Sequence, residues 1–316
     1  MPSGRVVAAH GRHFHVESPE GVVECVMRGK KGGIACGDRV AFQFIPSGGG
    51  VIEKVEARDN LLYRSDEMRS KLIAANLDLA VVVTAAVPYF REELLIRCLV
   101  ACETADIPVL ILLNKTDLPE TAALADHLAA YAALGYDFLA VSARGDLSAL
   151  EARLRGRTSV LVGGSGMGKS TLLNRLVPDA GAATGEISES LDAGRHTTTH
   201  ARMYRLPEGP SSLTPSPLCP PGCSPACGRG ELRAAGAGYV IDSPGMQEFG
   251  LQHLDAATLM AAFPEIRARV GQCRFYNCRH LKEPGCAVRE AVETGAMLPV
   301  RYKVYQSLLG QLASTP

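Results

Sequence analysis

Two groups of residues in this 316-residue chain have the types and spacing to do chemistry. The first is Gly163-Gly164-Ser165-Gly166-Met167-Gly168-Lys169-Ser170, followed by Thr171, which fits G-x-x-x-x-G-K-[ST]. Glycines let a backbone wrap a phosphate chain with its N–H groups, and a helix starting at the end of the loop adds the positive end of its dipole. Lys169 would reach the β- and γ-phosphates, and the Ser170 hydroxyl would bind Mg²⁺. The second is Cys273-x4-Cys278-x-His280-x5-Cys286, three thiols and one imidazole within fourteen residues. They complete a tetrahedral Zn²⁺ shell with no open position, so one structural zinc per chain is expected rather than a catalytic metal.

Other short segments extend the first group. Asn114-Lys115-Thr116-Asp117 ends an apolar run, Val109–Leu113. A carboxylate at Asp117 can accept two hydrogen bonds from the guanine ring N–H and exocyclic amine, a donor pair adenine lacks. The Asn114 amide can bond the base and neighbouring loops, and the Lys115 stem can lie along the ring. Ser142-Ala143 offers a small side chain and a backbone N–H to the guanine carbonyl. Asp242-Ser243-Pro244-Gly245 follows Tyr239–Ile241; Asp242 would hold Mg²⁺ through water and the Gly245 N–H would sense the γ-phosphate. Thr197-Thr198-Thr199 lies between these and the phosphate loop, and Thr198 would complete the metal shell. The base-recognition segments (114–117, 142–143) precede the phosphate loop (163–170) and Asp242–Gly245, whereas in ordinary Ras-like GTPases they come last. The order implies a circular permutation: the same sheet cut at a different loop.

These segments need a scaffold, and the rest of the chain supplies one. Residues 1–68 hold five short β-like runs (Arg5–Ala9, Phe14–Val16, Val22–Met27, Arg39–Phe44, Gly50–Val55), which fit an oligonucleotide-binding (OB) barrel. In residues 69–255 apolar strands alternate with helical periodicity, the pattern of a parallel sheet covered by helices and hence of an α/β P-loop domain. Residues 256–316 read as helical around the Cys/His cluster. Residues 207–237 are rich in Pro, Gly and Ser, cannot build a core, and read as an exposed insertion between two strands. Lys plus Arg and Asp plus Glu both number 33, so nonspecific nucleic-acid coating is disfavoured. Residues 264–316 nonetheless carry eight basic against four acidic residues. Around the cluster, Arg274, Phe275, Tyr276, Arg279 and Lys282 mix cations with aromatics, as RNA contacts require. No apolar run reaches the ~18–20 residues of a membrane helix and no secretory signal is evident, so a cytosolic protein is expected, with nothing demanding more than a monomer. The other cysteines divide in two: Cys25, Cys36, Cys98 and Cys102 read as core thiols, and Cys219, Cys223 and Cys227 as exposed.

With this order of motifs, a front barrel and a rear Cys-Cys-His-Cys cluster, the whole chain resembles the RsgA (YjeQ/YloQ) family of ribosome small subunit-dependent GTPases. The resemblance rests on Asn114–Asp117, Gly163–Thr171, Gly194-Arg195-His196-Thr197-Thr198-Thr199, Asp242–Gly245 with Glu248-Phe249-Gly250, and the metal cluster. It implies binding to the 30S subunit and its 16S rRNA late in assembly, GTP hydrolysis to GDP and phosphate in response, and release. It also implies zinc on Cys273, Cys278, His280 and Cys286, and a catalytic role for His196, because Met246 stands where Ras-like enzymes carry a water-orienting Gln. Residues 207–237 depart from the family pattern. Two other classes compete: a GTP-using small-molecule kinase, for which no acceptor-site motif is found, and a GTP-sensing RNA-binding module without turnover.

Overall fold

The computed structural model describes residues 1–316 except 29–32, 47, 66–69, 179, 181–200, 209–236, 246–248 and 314–316. His196 and Thr197–Thr199, the cysteines Cys219, Cys223 and Cys227, and Met246 therefore lie outside the described residues.

The five N-terminal runs form β1 (Ser3–His10), β2 (His13–Ser18), β3 (Gly21–Met27), β4 (Arg39–Phe44) and β5 (Gly50–Val55). They pair in the order β1-β2-β3-β5-β4, and β1 returns to β4 through Ser3–Arg5, closing a five-stranded barrel of the OB type. Alternation along the strands turns Val6, Phe14, Val16, Cys25, Val40, Phe42 and Ile52 inward to fill it. A hairpin the sequence pattern did not reveal, β6 (Leu61–Ser65) and β7 (Ser70–Ala75), follows, and residue 68 falls between its strands.

The central sheet contains β8 (Leu79–Thr84), β9 (Val109–Leu113), β10 (Asp137–Ala140), β11 (Thr158–Val162), β12 (Arg202–Arg205) and β13 (Tyr239–Asp242). Their order is β10-β9-β8-β11-β13-β12, parallel except for β12, which runs antiparallel to β13. Every residue of β8, β9 and β11 is buried, as a strand covered on both faces requires. Among the described residues, the helices of this region are α1 (Glu92–Thr104), α2 (Thr121–Ala129), α3 (Ser148–Leu154) and α4 (Lys169–Leu176). One apolar cluster joins the sheet to α1; a separate one, on the other face, joins it to α3 and α4. The sheet does not end at β12, because Ala8 of β1 pairs with Arg202 and makes barrel and central sheet one hydrogen-bonded surface of eleven strands.

The C-terminal region folds as α5 (Ala256–Ala261), α6 (Pro264–Arg267), α7 (Ala287–Glu293) and α8 (Pro299–Ala313), with α5 and α8 against α1. Its seal is Arg301, wholly buried, whose guanidinium makes two hydrogen bonds to the buried Glu265 carboxylate. The same cation sits 5.6, 5.9 and 5.3 Å from the ring centres of Tyr131, Tyr136 and Phe263. Such a pair adds little net stability over an apolar replacement, but losing one partner strands a buried charge at a cost of about 3–5 kcal/mol. Among the described residues, no helix is long and apolar enough to cross a membrane.

Candidate nucleotide site and metal centre

In an open parallel sheet, ligands bind outside the carboxyl ends of the strands, where the strand order reverses. Here that place lies between β8 and β11, and the loops leaving β9, β10, β11 and β13 surround it. They enclose a cavity of about 540 Å³ lined by Asn114, Lys115, Asp117, Ser142, Ala143, Ser165, Gly166, Gly168, Lys169, Ser170, Thr171, Asp242 and Gly245, with Leu118, Arg144 and Ser243. The expected residues among the described ones are thus brought together, with Gly163, Gly164 and Met167 forming the loop behind them.

The phosphate loop turns because its glycines do. Gly163 has φ +144° and Gly168 φ +94°, and a Cβ would lie 2.3 Å from the Val83 carbonyl oxygen at the first and 2.3 Å from Asn114 Nδ2 at the second. Gly168 leads directly into α4. Lys169 is buried, and its ammonium donates to the carbonyls of Gly163 and Gly164, both at 2.8 Å, which curls it back over the loop. Burial pushes its pKa down and the nearby Asp242 carboxylate pushes it back up. Behind Asp242, the Ser243 hydroxyl donates to the Leu161 carbonyl at 2.6 Å, tying the ends of β13 and β11 together.

Asn114, buried against the phosphate loop, acts as a brace. Its Nδ2 donates to the Met167 carbonyl at 2.9 Å, and its Oδ1 accepts from the Ala143 N–H at 3.0 Å. One amide therefore joins three loops. The Ala143 donor can reach a ligand carbonyl only as a shared bond. Lys115, at φ +64°, extends across the cavity and donates to Val87 and Gly166 carbonyls at 2.7 and 2.8 Å. Asp117 is solvent-exposed, with the Ser142 hydroxyl donating to Oδ1 at 2.6 Å and Arg144 4.0 Å away. The Ser142 hydrogen bond, foremost, holds its carboxyl below the usual range, so it stays an acceptor. Sequence reasoning missed Arg175, near the end of α4, whose guanidinium donates to the carbonyls of Ala143 and Gly145 at 3.2 and 3.1 Å. In sequence it resembles any solvated helix cation; only the fold shows it carrying the loop after β10.

The ligating atoms of Cys273, Cys278, His280 and Cys286 all lie within 4.8 Å of one another. His280 Nδ1 is 3.5 Å from Cys273 Sγ and 3.4 Å from Cys286 Sγ. Tetrahedral bonds of about 2.3 Å to sulfur and 2.0–2.1 Å to nitrogen separate the ligands by roughly 3.5 Å, so the set fits zinc. Burial pushes the Cys278 thiol up, and a cation held among the thiols would favour its thiolate. His280 adopts φ +60°, and its carbonyl is held by the Tyr302 hydroxyl at 2.7 Å, while Tyr305 holds the Arg279 carbonyl at 2.7 Å. Helix α8 thereby fixes the ligand loop. Cys25, Cys36, Cys98 and Cys102 are buried, as core thiols should be.

A parallel sheet carrying this phosphate loop and this base pocket, with the base loops earlier in the chain, defines a circularly permuted P-loop GTPase. The RsgA GTPase family model matches residues 55–216. The small ribosomal subunit biogenesis GTPase RsgA of Burkholderia pseudomallei (strain K96243) is 47% identical over 313 residues, covering 97% of this chain and 91% of that protein. The protein of the same name from Nitrosospira multiformis is 47% identical over 312 residues, covering 98% and 90%. Among solved structures, YjeQ from Thermotoga maritima superposes with a TM-score of 0.70 at 27% identity, covering 99% of both chains. YloQ, described as a circularly permuted GTPase, gives 0.67 at 27%, covering 100% of this chain and 96% of the other. The chain belongs to the RsgA GTPase family and is a hydrolase acting on GTP.

Proposed function

We propose that this GTPase acts in late maturation of the small ribosomal subunit in the cytoplasm, hydrolysing GTP to GDP and phosphate when it meets the 30S particle and its 16S rRNA, and then dissociating as a monomer. The names of its relatives support the assembly role, and the base pocket supports the choice of nucleotide. The observation that carries the reading is Asp117, an acceptor-only carboxylate held by Ser142 in the cavity that Lys169 also lines. There it pairs the two donors of guanine, with Asn114, Lys115, Ser142 and Ala143 shaping the rest of the base site. Gly163, Gly164, Ser165, Gly166, Met167, Gly168, Lys169, Ser170 and Thr171 take the phosphates, and Gly245 borders the γ-position, where a Cβ would lie 3.6 Å from Lys169 Nζ.

Ser170, Asp242 and Thr198 would hold Mg²⁺, which when bound neutralises charge between the β- and γ-phosphates. Lys169, already stripped of water, offers its ammonium to the same oxygens by leaving the Gly163 and Gly164 carbonyls. His196 is assigned the attacking water, because an imidazole can orient water and exchange a proton near neutral pH. Zinc on Cys273, Cys278, His280 and Cys286 serves the shape of the C-terminal region. Sedimentation with purified 30S and 50S subunits in the presence of a nonhydrolysable GTP analogue tests the role: co-sedimentation with 30S is expected, and a preference for 50S or for neither overturns it.

A further inference from the structure

Four residues between two cluster cysteines, Arg274-Phe275-Tyr276-Asn277, take no part in the nucleotide site, yet they are firmly held. The Arg274 N–H donates to the Gly285 carbonyl at 3.0 Å and the Cys278 N–H to the Phe275 carbonyl at 3.2 Å. The Arg274 stem lies against Gly285, at φ +68°, where a Cβ would come within 3.0 Å of Arg274 Cβ. Its guanidinium sits 5.5 Å from the centre of the Phe275 ring, which is itself 41% exposed. Beyond them Tyr276 stands wholly in water, with a relative exposure of 101%. With both neighbours of the loop tied down and its own ring free of protein contact, Tyr276 contributes nothing to the core and offers both ring faces to an external partner.

The surroundings say which partner. Arg274, Arg279 and Lys282 are exposed around the loop. The nearest carboxylate in sequence, Glu283, accepts from the N–H groups of Arg279, Leu281 and Lys282 at 2.9, 2.8 and 2.9 Å, so its charge is turned onto the backbone. A protein hot spot seats its aromatic in a desolvated setting of apolar neighbours; Tyr276 is flanked in sequence by a Phe already under a guanidinium and by Asn277. Cations beside an upright ring suit a nucleic-acid strand whose bases are unpaired, since stacking needs an open base face and phosphates follow it on both sides. We infer that Tyr276 is a stacking platform for an unpaired RNA base, with Arg274, Arg279 and Lys282 taking the adjoining phosphates. The inference rests on the proposed ribosomal role only for the source of that RNA.

The chain contains no tryptophan, so Tyr276→Trp keeps a stacking ring and introduces a single reporter. Its emission is expected to be quenched to saturation by a single-stranded oligoadenylate RNA and to change little with duplex RNA of the same length. Tyr276→Ala, with zinc content and melting temperature as checks on folding, should weaken 30S association about tenfold or more, while Tyr276→Trp retains it. Emission indifferent to RNA, or Tyr276→Ala binding 30S like the wild type, overturns the inference. Quenching by 30S but not by free RNA gives the loop to a ribosomal protein and overturns it equally. If the wild type itself fails to bind 30S, the proposed role falls, and the oligonucleotide titration still decides the platform.

Discussion

Asn114 offers the sharpest test of how the nucleotide site is built. Asn114→Ala removes the donor to the Met167 carbonyl and the acceptor for the Ala143 N–H, both bonds made by a side chain only 1% exposed. An unsatisfied buried polar group costs about 1–3 kcal/mol. The Met167 carbonyl, in the loop behind the cavity, bears that cost in full, whereas Ala143 lines the cavity and water can partly replace the acceptor of its N–H. The expected loss is about 2–4 kcal/mol, a large share of the roughly 5–15 kcal/mol that holds a protein domain together. Guanidinium denaturation followed by circular dichroism reads it directly. Affinities for GTP and GDP should fall together by roughly ten- to a hundredfold, at about 1.4 kcal/mol per factor of ten, because ligand binding must now assemble loops the amide had already joined. The ratio of GTP to ATP affinity should hold, since Asp117 is untouched. Asn114→Asp keeps the acceptor for Ala143 but sets a carboxylate against the Met167 carbonyl, and should be no better than the alanine variant. A stability change below about 0.5 kcal/mol, or a collapse of selectivity with stability intact, would refute the brace.

Asp117→Asn should lower GTP affinity and raise xanthosine triphosphate affinity, because the new amide donates where the carboxylate accepted; equal ATP and GTP binding by the wild type would end that reading. Freshly purified protein should contain one zinc per chain, and Cys278→Ala should make residues 256–316 protease-sensitive with little loss of nucleotide affinity; absence of metal or unchanged resistance counts against the site. His196→Ala should retain GTP and 30S binding while losing most 30S-stimulated phosphate release, and a variant turning over near the stimulated wild-type rate removes His196 from the mechanism. Burial pushes the pKa of His253, whose ring centre lies 4.2 Å from that of Tyr63 at a tilt of 37°, below its ordinary value near 6.5. The unfolded chain therefore binds the proton more readily, so stability should fall as pH drops through about 6.5. His253→Phe should flatten that slope in urea melts at several pH values.

How much could be read in advance depended on where the chemistry resides. The phosphate loop is legible because its function lies in its own backbone, and Gly163 and Gly168 occupy conformations other residues resist. The zinc ligands are legible because four donors within fourteen residues leave few other geometries. The barrel strands are legible as short β-like runs at regular spacing, and the permutation by the order of the segments. Long-range partners left no such mark. Arg175 and Arg301 are ordinary helix cations in sequence; one carries the loop after β10 and the other lies under three aromatic rings. The β6–β7 hairpin escaped notice because it belongs to neither neighbouring pattern.

The single pairing of Ala8 with Arg202 has a consequence for how the chain is made. During synthesis, residues 1–55 supply every strand the barrel needs, and Ser3–Arg5 can find β4 early. The edge of β1 around Ala8 must wait roughly 190 residues longer for its partner, about 10–40 s at ordinary elongation rates. In that interval β8, β9, β10 and β11 also emerge and can pair with one another. The β12–β13 pair arrives last and joins β11 on one side to β1 on the other, as a keystone joins two finished halves of an arch. A nascent chain stalled before residue 202 thus holds two separate folded bodies with an open strand edge between them, the kind of surface that recruits other chains. One released after residue 242 has closed that edge by its own strand.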